Sequence, residues 1–206
     1  MPKNPIIDFE RPYTFRSYFE LPYEPEDILA EFGYGLLRSW LDLPKAVTEL
    51  GQSERFASLK ERIEDILPYV SLTTEAARRE LLIAPILMEV IHYTRAQLRI
   101  EYPLTVTDQL KGSLDYYLYK AHKFLIIEAK NADLSRGFTQ LAVELIALDK
   151  WDDSEVPLLY GAVTTGDVWQ FGQLNRGNKQ VTQDVSFYPV PQSLEDLLQV
   201  LVAILS

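Results

Sequence analysis

The sequence predicts an α/β fold in which helices flank a β-sheet, and three observations carry that prediction. The run Phe124-Leu125-Ile126-Ile127 is wholly apolar and bounded by Lys123 and Glu128, the pattern of a short central strand covered on both faces. Before it, 97–106 (QLRIEYPLTV) and 111–119 (KGSLDYYLY) have the character of half-buried strands. Amphipathic helical patterns stand on both sides of these strands in the chain, at 53–67 and 75–92 before them and at 135–150 and 193–205 after them. Helices that precede and follow a sheet bury their apolar faces by layering on it.

Residues 1–27 are rich in aromatics and proline (Phe9, Tyr13, Phe15, Tyr18, Phe19, Tyr23) and read as an arm that packs its rings against the body. The same rings also suit a protein partner. Residues 25–42 read as a helix, opened by Pro25, Glu26 and Asp27, with Leu29, Phe32, Leu36, Leu37 and Trp40 at near-helical spacing. The helix over 53–67 has Ser53 as its cap and Pro68 as its stop, with Phe56, Leu59, Ile63, Ile66 and Leu67 inward. Thr74 caps the helix over 75–92, which Pro85 should kink. After the three strands, Phe138, Leu141, Leu145, Ile146 and Leu148 form the inward face of the helix over 135–150. Residues 157–165 and 167–175 read as a hairpin turning at Thr165-Gly166-Asp167, followed by a short strand at 185–190 and the final helix. The domain reading is a 1–70 aromatic arm and helical extension joined to a 71–206 α/β core.

The 206 residues include no cysteine and only two histidines, His92 and His122, so disulfides, thiol nucleophiles and three-histidine metal sites are excluded. No apolar run approaches the roughly 20 residues of a membrane span, so no membrane partner is expected. The start of the chain lacks an apolar stretch of export-signal length, and with the missing cysteines this points to the cytoplasm. Net charge is −10, which argues against a protein that coats nucleic acid. Its distribution matters more. Residues 71–150 carry ten basic against ten acidic residues, and the acidic excess lies in the flanks. A local anionic-ligand site in the middle is therefore permitted, with Arg78, Arg79, Arg95, Arg99, Lys120, Lys123 and Arg136 as phosphate contacts.

Four polar residues stand where packing alone does not ask for them: Asp115 in an apolar-aromatic strand, Glu128 and Lys130 at the end of the buried one, and Gln140 on the following helix. Two residues apart on a strand, Glu128 and Lys130 share a face. Thirteen residues from Asp115 to Glu128 span one strand, a tight turn and its neighbour, so the carboxylates can meet across the sheet. Two such acids both stay ionised only with a cation between them, and oxygen ligands suit Mg²⁺ or Mn²⁺. The backbone carbonyl of Ala129 adds a further oxygen, and Lys130 is placed to orient or deprotonate water or to steady charge on phosphorus. A lysine beside a metal is expected to have a lowered pKa.

Gly112-x-x-Asp115, then Glu128-Ala129-Lys130, then Gln140 resembles the PD-(D/E)xK nuclease superfamily, which includes Holliday-junction resolvases and type I restriction nuclease domains. The resemblance covers residues 71–175; the family's proline before the aspartate is replaced by Leu114. It implies a restriction-endonuclease-like αβββαβ core with a mixed sheet, Mg²⁺-dependent cleavage of DNA, metal ligation by Asp115 and Glu128, a catalytic Lys130 and a supporting Gln140. A helix glutamate often adds a ligand; Glu80 is preferred over Glu75, which the helix N-terminus already explains. Such nucleases often pair as homodimers. The contrasting reading is the same fold kept as a catalytically inactive binding or assembly module.

Overall fold

The structure, a computed structural model, describes residues 6–46 and 50–206; the first five residues of the aromatic arm lie outside them. Eight strands among the described residues form one mixed sheet with the order β1-β7-β6-β5-β4-β3-β2, β8 pairing with β6. The strands are β1 (Gly35–Ser39), β2 (Gln97–Thr105), β3 (Lys111–Lys120), β4 (Lys123–Ala129), β5 (Leu158–Thr164), β6 (Val168–Asn175), β7 (Gln180–Asp184) and β8 (Tyr188–Pro189). The pairs β2–β3 and β3–β4 are antiparallel, whereas β4 and β5 run parallel, joined through a helix. The sheet is open and helices cover both faces, so the α/β expectation holds. No helix among the described residues is long and apolar enough to cross a membrane.

One face buries Phe56, Leu59 and Ile63 of α3 (Glu54–Ile66), the apolar side of α5 (Ala84–Thr94) and α7 (Leu194–Leu205), against Leu118, Leu125, Ile127 and Phe171 of the sheet. The other buries Phe15 and Tyr18 of α1 (Phe15–Glu20), Ile28 and Leu29 of α2 (Pro25–Glu31) and α6 (Leu134–Trp151), against Leu114, Tyr117, Ile126 and Val163. β4 alternates between the two: Leu125 and Ile127 point to one layer, Ile126 to the other. A strand covered on both faces has no polar side, which is why FLII is so apolar. The N-terminal segment belongs to this same layer structure. β1 pairs in parallel with β7, and α1 and α2 share a core with α6.

Three elements differ from the sequence expectation. The helix expected over 25–42 stops at Glu31. Gly33 adopts φ +83°, and the N–H groups of Gly33 and Tyr34 donate to the Ala30 and Leu29 carbonyls, a glycine-terminated helix end. The chain then enters β1, leaving Trp40 80% exposed rather than inward. The expected kink at Pro85 takes the form of a π-helical turn at Arg79–Ile83, between α4 (Glu75–Arg78) and α5; the helical run is unbroken from Glu75 to Thr94, and the widened turn just before Pro85 accommodates its ring and missing N–H. Of the strand expected at 185–190 only the two-residue β8 forms, and β7 at Gln180–Asp184 is an additional strand before it. The hairpin at Gly166, which has φ +85°, forms as expected, with Trp169 buried and its indole N–H donating to the Gly166 carbonyl at 3.1 Å.

The N-terminal arm is locked down at its contact with the β2–β3 connection. The Tyr18 hydroxyl donates to the Gln109 carbonyl at 2.6 Å, and the Gln109 amide donates to the carbonyls of Phe9 and Arg11. Gly112 makes this approach feasible: a Cβ there would lie 2.7 Å from the Phe15 ring. Gly112→Ala is expected to cost roughly 1–3 kcal/mol by overpacking, read as a lowered urea midpoint.

Candidate functional site

The site forms where β3 and β4 separate at their ends and α1, α4 and α6 close around them. Pairing between β3 and β4 runs to Tyr116 with Ile127, so Asp115 and Glu128 stand one step beyond the last paired residues. On the other side of β3, Ile100 pairs with Tyr116 and Tyr102 with Leu114, while Glu101 between them has φ +53°. A bulky residue in the left-handed region is strained and interrupts the ladder. The alternation of β3 slips here: Leu114 packs on the α6 layer and Tyr116 on the α5 layer. Asp115 is thereby turned out of the regular pleat. Its Oδ2 accepts the Ala129 N–H at 2.8 Å, which fixes it beside the end of β4.

A cavity of about 710 Å³ lies over these residues, lined among others by Phe19, Glu75, Arg79, Asp115, Glu128, Lys130 and Gln140. Four of the side chains singled out from the sequence therefore meet. The Lys130 ammonium contacts Glu128 Oε1, and Gln140 Nε2 donates to the same oxygen at 2.7 Å. Glu80, the helix carboxylate preferred from the sequence, is not on this cavity. It lies beside Ala84, Ile100 and Tyr116 in a neighbouring one, and Glu75 lines the larger. Five residues along a helix is a rotation of roughly 140° from the starting face, whereas Arg79, four residues after Glu75, shares its face.

Two contributors were missed from the sequence. Glu144 is fully buried and Gln140 Nε2 donates to its Oε1 at 2.9 Å, so one amide bridges Glu128 and Glu144. Its signal was present: it is the one charge in the apolar stretch Leu141–Leu148, one turn after Gln140. The other is Arg79, whose Nη1 donates to Glu101 at 2.7 Å and lies 3.7 Å from Asp115 Oδ1, with its guanidinium 5.0 Å from the Tyr116 ring centre. Arg79 had been named only as one of several phosphate contacts. The histidines take no part: His92 stands edge-on to Tyr93, and His122 lies in the exposed β3–β4 turn.

Burial dominates the electrostatics. Glu128 is 1% exposed, and burial together with the charge of Asp115 pushes its carboxyl up to about 7. Burial and the charge of Glu128 raise Glu144 well above the ordinary range. Asp115 is also raised by burial, against the Ala129 N–H and the Arg79 charge. For Lys130, burial acts to lower the pKa, but Glu128, Asp115 and Glu144 reverse this and raise it. Three acids around the ammonium account for this rise.

The residues present fit a divalent cation. The donors of Asp115 and Glu128 are hard carboxylate oxygens; Glu128 Oε2 receives no N–H or O–H, and the Glu128 and Glu144 carboxyls lie within hydrogen-bonding reach, where one proton can join them. Among the described residues no group of three or more His, Cys, Asp or Glu side chains is arranged to hold a metal ion. The expected ligand set thus reduces to Asp115, Glu128 and main-chain oxygen; Mg²⁺ commonly takes one or two carboxylates and completes its shell with water and phosphate. A comparison with models of protein families finds no match to this chain, and neither does a comparison with curated proteins.

The raised carboxyls make stability depend on pH. Unfolded glutamates ionise near about 4.3, below the folded values of Glu128 and Glu144, so the native state holds protons that the unfolded chain releases. That contribution is fully present below the unfolded pKa and is lost as pH rises through the folded values. Glu144→Gln, which keeps the shape without the charge, is expected to raise the melting temperature at pH 8 and to have a smaller effect at pH 5, measured by calorimetry without divalent cations.

Proposed function

We propose that this protein is a Mg²⁺- or Mn²⁺-dependent nuclease that hydrolyses DNA phosphodiester bonds on a restriction-endonuclease-like core of the PD-(D/E)xK kind. The observation that carries the reading is the meeting of Asp115, Glu128 and Lys130 on one cavity, with Glu128 Oε1 held by Lys130 and Gln140. The order of elements supports it: the helical stretch 75–94, then β2, β3, β4, α6 and β5, with parallel β4 and β5 joined through α6. So does the coupling of acids, which favours a bound cation over an empty pocket.

In this reading Asp115 and Glu128 hold the cation, with the Ala129 carbonyl as a further oxygen. When bound, the cation neutralises charge on the phosphodiester oxygens and lowers the pKa of water. Lys130 works as an ammonium. It donates to a non-bridging phosphate oxygen and stabilises the charge that grows there. Gln140 sets the rotamer of Glu128 by donating to Oε1. Glu144 takes the other reach of that amide and keeps Gln140 from turning away.

Purified protein is expected to cut single- or double-stranded DNA with Mg²⁺ or Mn²⁺. Asp115→Ala and Glu128→Ala should each reduce cleavage to background, and Lys130→Ala should lower turnover by about 10²–10³-fold with folding intact by circular dichroism. Titration calorimetry with Mn²⁺ should show heat that both carboxylate variants lose. A double Asp115→Ala, Glu128→Ala variant of full activity removes the assignment.

A further inference from the structure

The cavity has a wall that the carboxylate site itself does not require. Besides the residues of the sheet and α6, it is lined by Thr14, Phe15, Arg16 and Phe19 of the N-terminal segment. This wall is fixed rather than loose, since Phe15 and Tyr18 are fully buried and the Gln109 hydrogen bonds tie the arm to the β2–β3 connection. Phe19 is only half-buried, and Lys130 Nζ lies 5.0 Å from its ring centre, so the ring stands beside the charged group that faces the reacting phosphate. Arg16, one turn earlier, is exposed, with Glu20 at 3.5 Å as its ion-pair partner.

We propose that the cavity receives a single DNA strand, with an unpaired base stacked on Phe19 and a flanking phosphate met by Arg16. The proposal rests on the nucleolytic reading for its choice of ligand. Three features favour a single strand over a duplex. Glu128 lies at the buried floor between α1 and the Glu75–Arg79 turn, so a phosphodiester must enter between two walls to reach it. A ring on that path engages a base only through its face, and duplex stacking hides that face. The cations at the cavity are few: Lys130, Arg79 and Arg16 each have a carboxylate partner, and Arg16, with its side chain 84% exposed, is the most open of them. A duplex footprint spans many phosphates and calls for a broad basic face, which a chain of net charge −10 does not supply evenly.

The test is fluorescence anisotropy on the full chain with Ca²⁺ supplied as the divalent cation, using a short fluorescein-labelled phosphorothioate oligothymidylate and a blunt DNA hairpin of the same linkage. The strand should bind at least tenfold more tightly than the hairpin. Phe19→Ala should weaken strand binding by about 5- to 100-fold, with Phe19→Trp restoring it, and Arg16→Ala should weaken it by a few fold. Equal affinity for the hairpin, no binding of the strand, or an unchanged Phe19→Ala variant overturns the proposal. A ring that only braces Lys130 would alter turnover and leave binding intact, and that result also overturns it. Phe19-dependent binding without cleavage of any DNA removes the hydrolytic reading and sustains this one. Cleavage of covalently closed duplex as fast as of a strand sustains the hydrolytic reading and removes this one.

Discussion

The site depends on an unfavourable burial. Glu128 and Glu144 are almost wholly withdrawn from water, Asp115 stands close enough to repel Glu128, and one lysine and one amide are the direct partners that hold the cluster. Burying a carboxylate costs several kcal/mol unless it is paired or protonated. Both responses are visible, because Lys130 contacts Glu128 while the acids shift toward their neutral forms. A cluster built for stability alone would have closed every hydrogen bond or replaced the acids with apolar groups. Here the acids are kept together, Glu128 and Glu144 close enough to share a proton and Asp115 beside them, an accumulation of charge that a cation would offset.

The rest of the fold supplies the rigidity this needs. β4 is central and covered on both faces, so the backbone that presents Glu128 and Lys130 has little freedom. β3 is regular except at one position, where Glu101 takes a left-handed conformation opposite Asp115 and the pleat slips. Strain of this kind persists only where surrounding structure over-determines it. The surroundings do so: the β2–β3 pairing resumes in the same register on both sides, and Arg79 binds Glu101 while lying near Asp115. The N-terminal segment completes the enclosure by adding an edge strand to the sheet and a helix to the α6 layer.

The sheet centre and its flanking helices were legible because their signals are local. The FLII run, the Ser53 and Thr74 caps, and the Gly166 hairpin each have a short-range physical cause that tertiary packing reinforces. The misreadings share the opposite origin. Leu29, Phe32, Leu36, Leu37 and Trp40 mimic helical spacing, yet the glycines at 33 and 35 break the helix and the later residues join β7, a partner almost 150 residues away. Asp115, Glu128, Lys130 and Gln140 were legible as polar residues in apolar settings. Glu144 meets the same criterion, as the one charge in the apolar run 141–148, but a mid-helix acid can equally face solvent, and only the packing of α6 shows it buried. The choice between Glu75 and Glu80 needed the helix phase relative to the sheet, which sequence spacing alone does not supply.

An acidic protein acting on a polyanion poses an apparent contradiction, and the arrangement of its charges addresses it. Long-range attraction falls off over about 10 Å in physiological salt, so the total charge governs little at the depth of a cavity. What a phosphate meets there is local: Lys130, Arg79 and the charge of any bound cation. Without the cation, the acids consume both basic groups. Lys130 is engaged by Glu128, and Arg79 is drawn toward Glu101, Glu75 and Asp115. A divalent ion between Asp115 and Glu128 would take over the task of offsetting those acids and leave the ammonium and guanidinium available to phosphate. On this argument the same ion would relieve the cost of the buried carboxylates and turn a self-neutralised cluster into an anion-binding one, so that cation and substrate affinity would rise together.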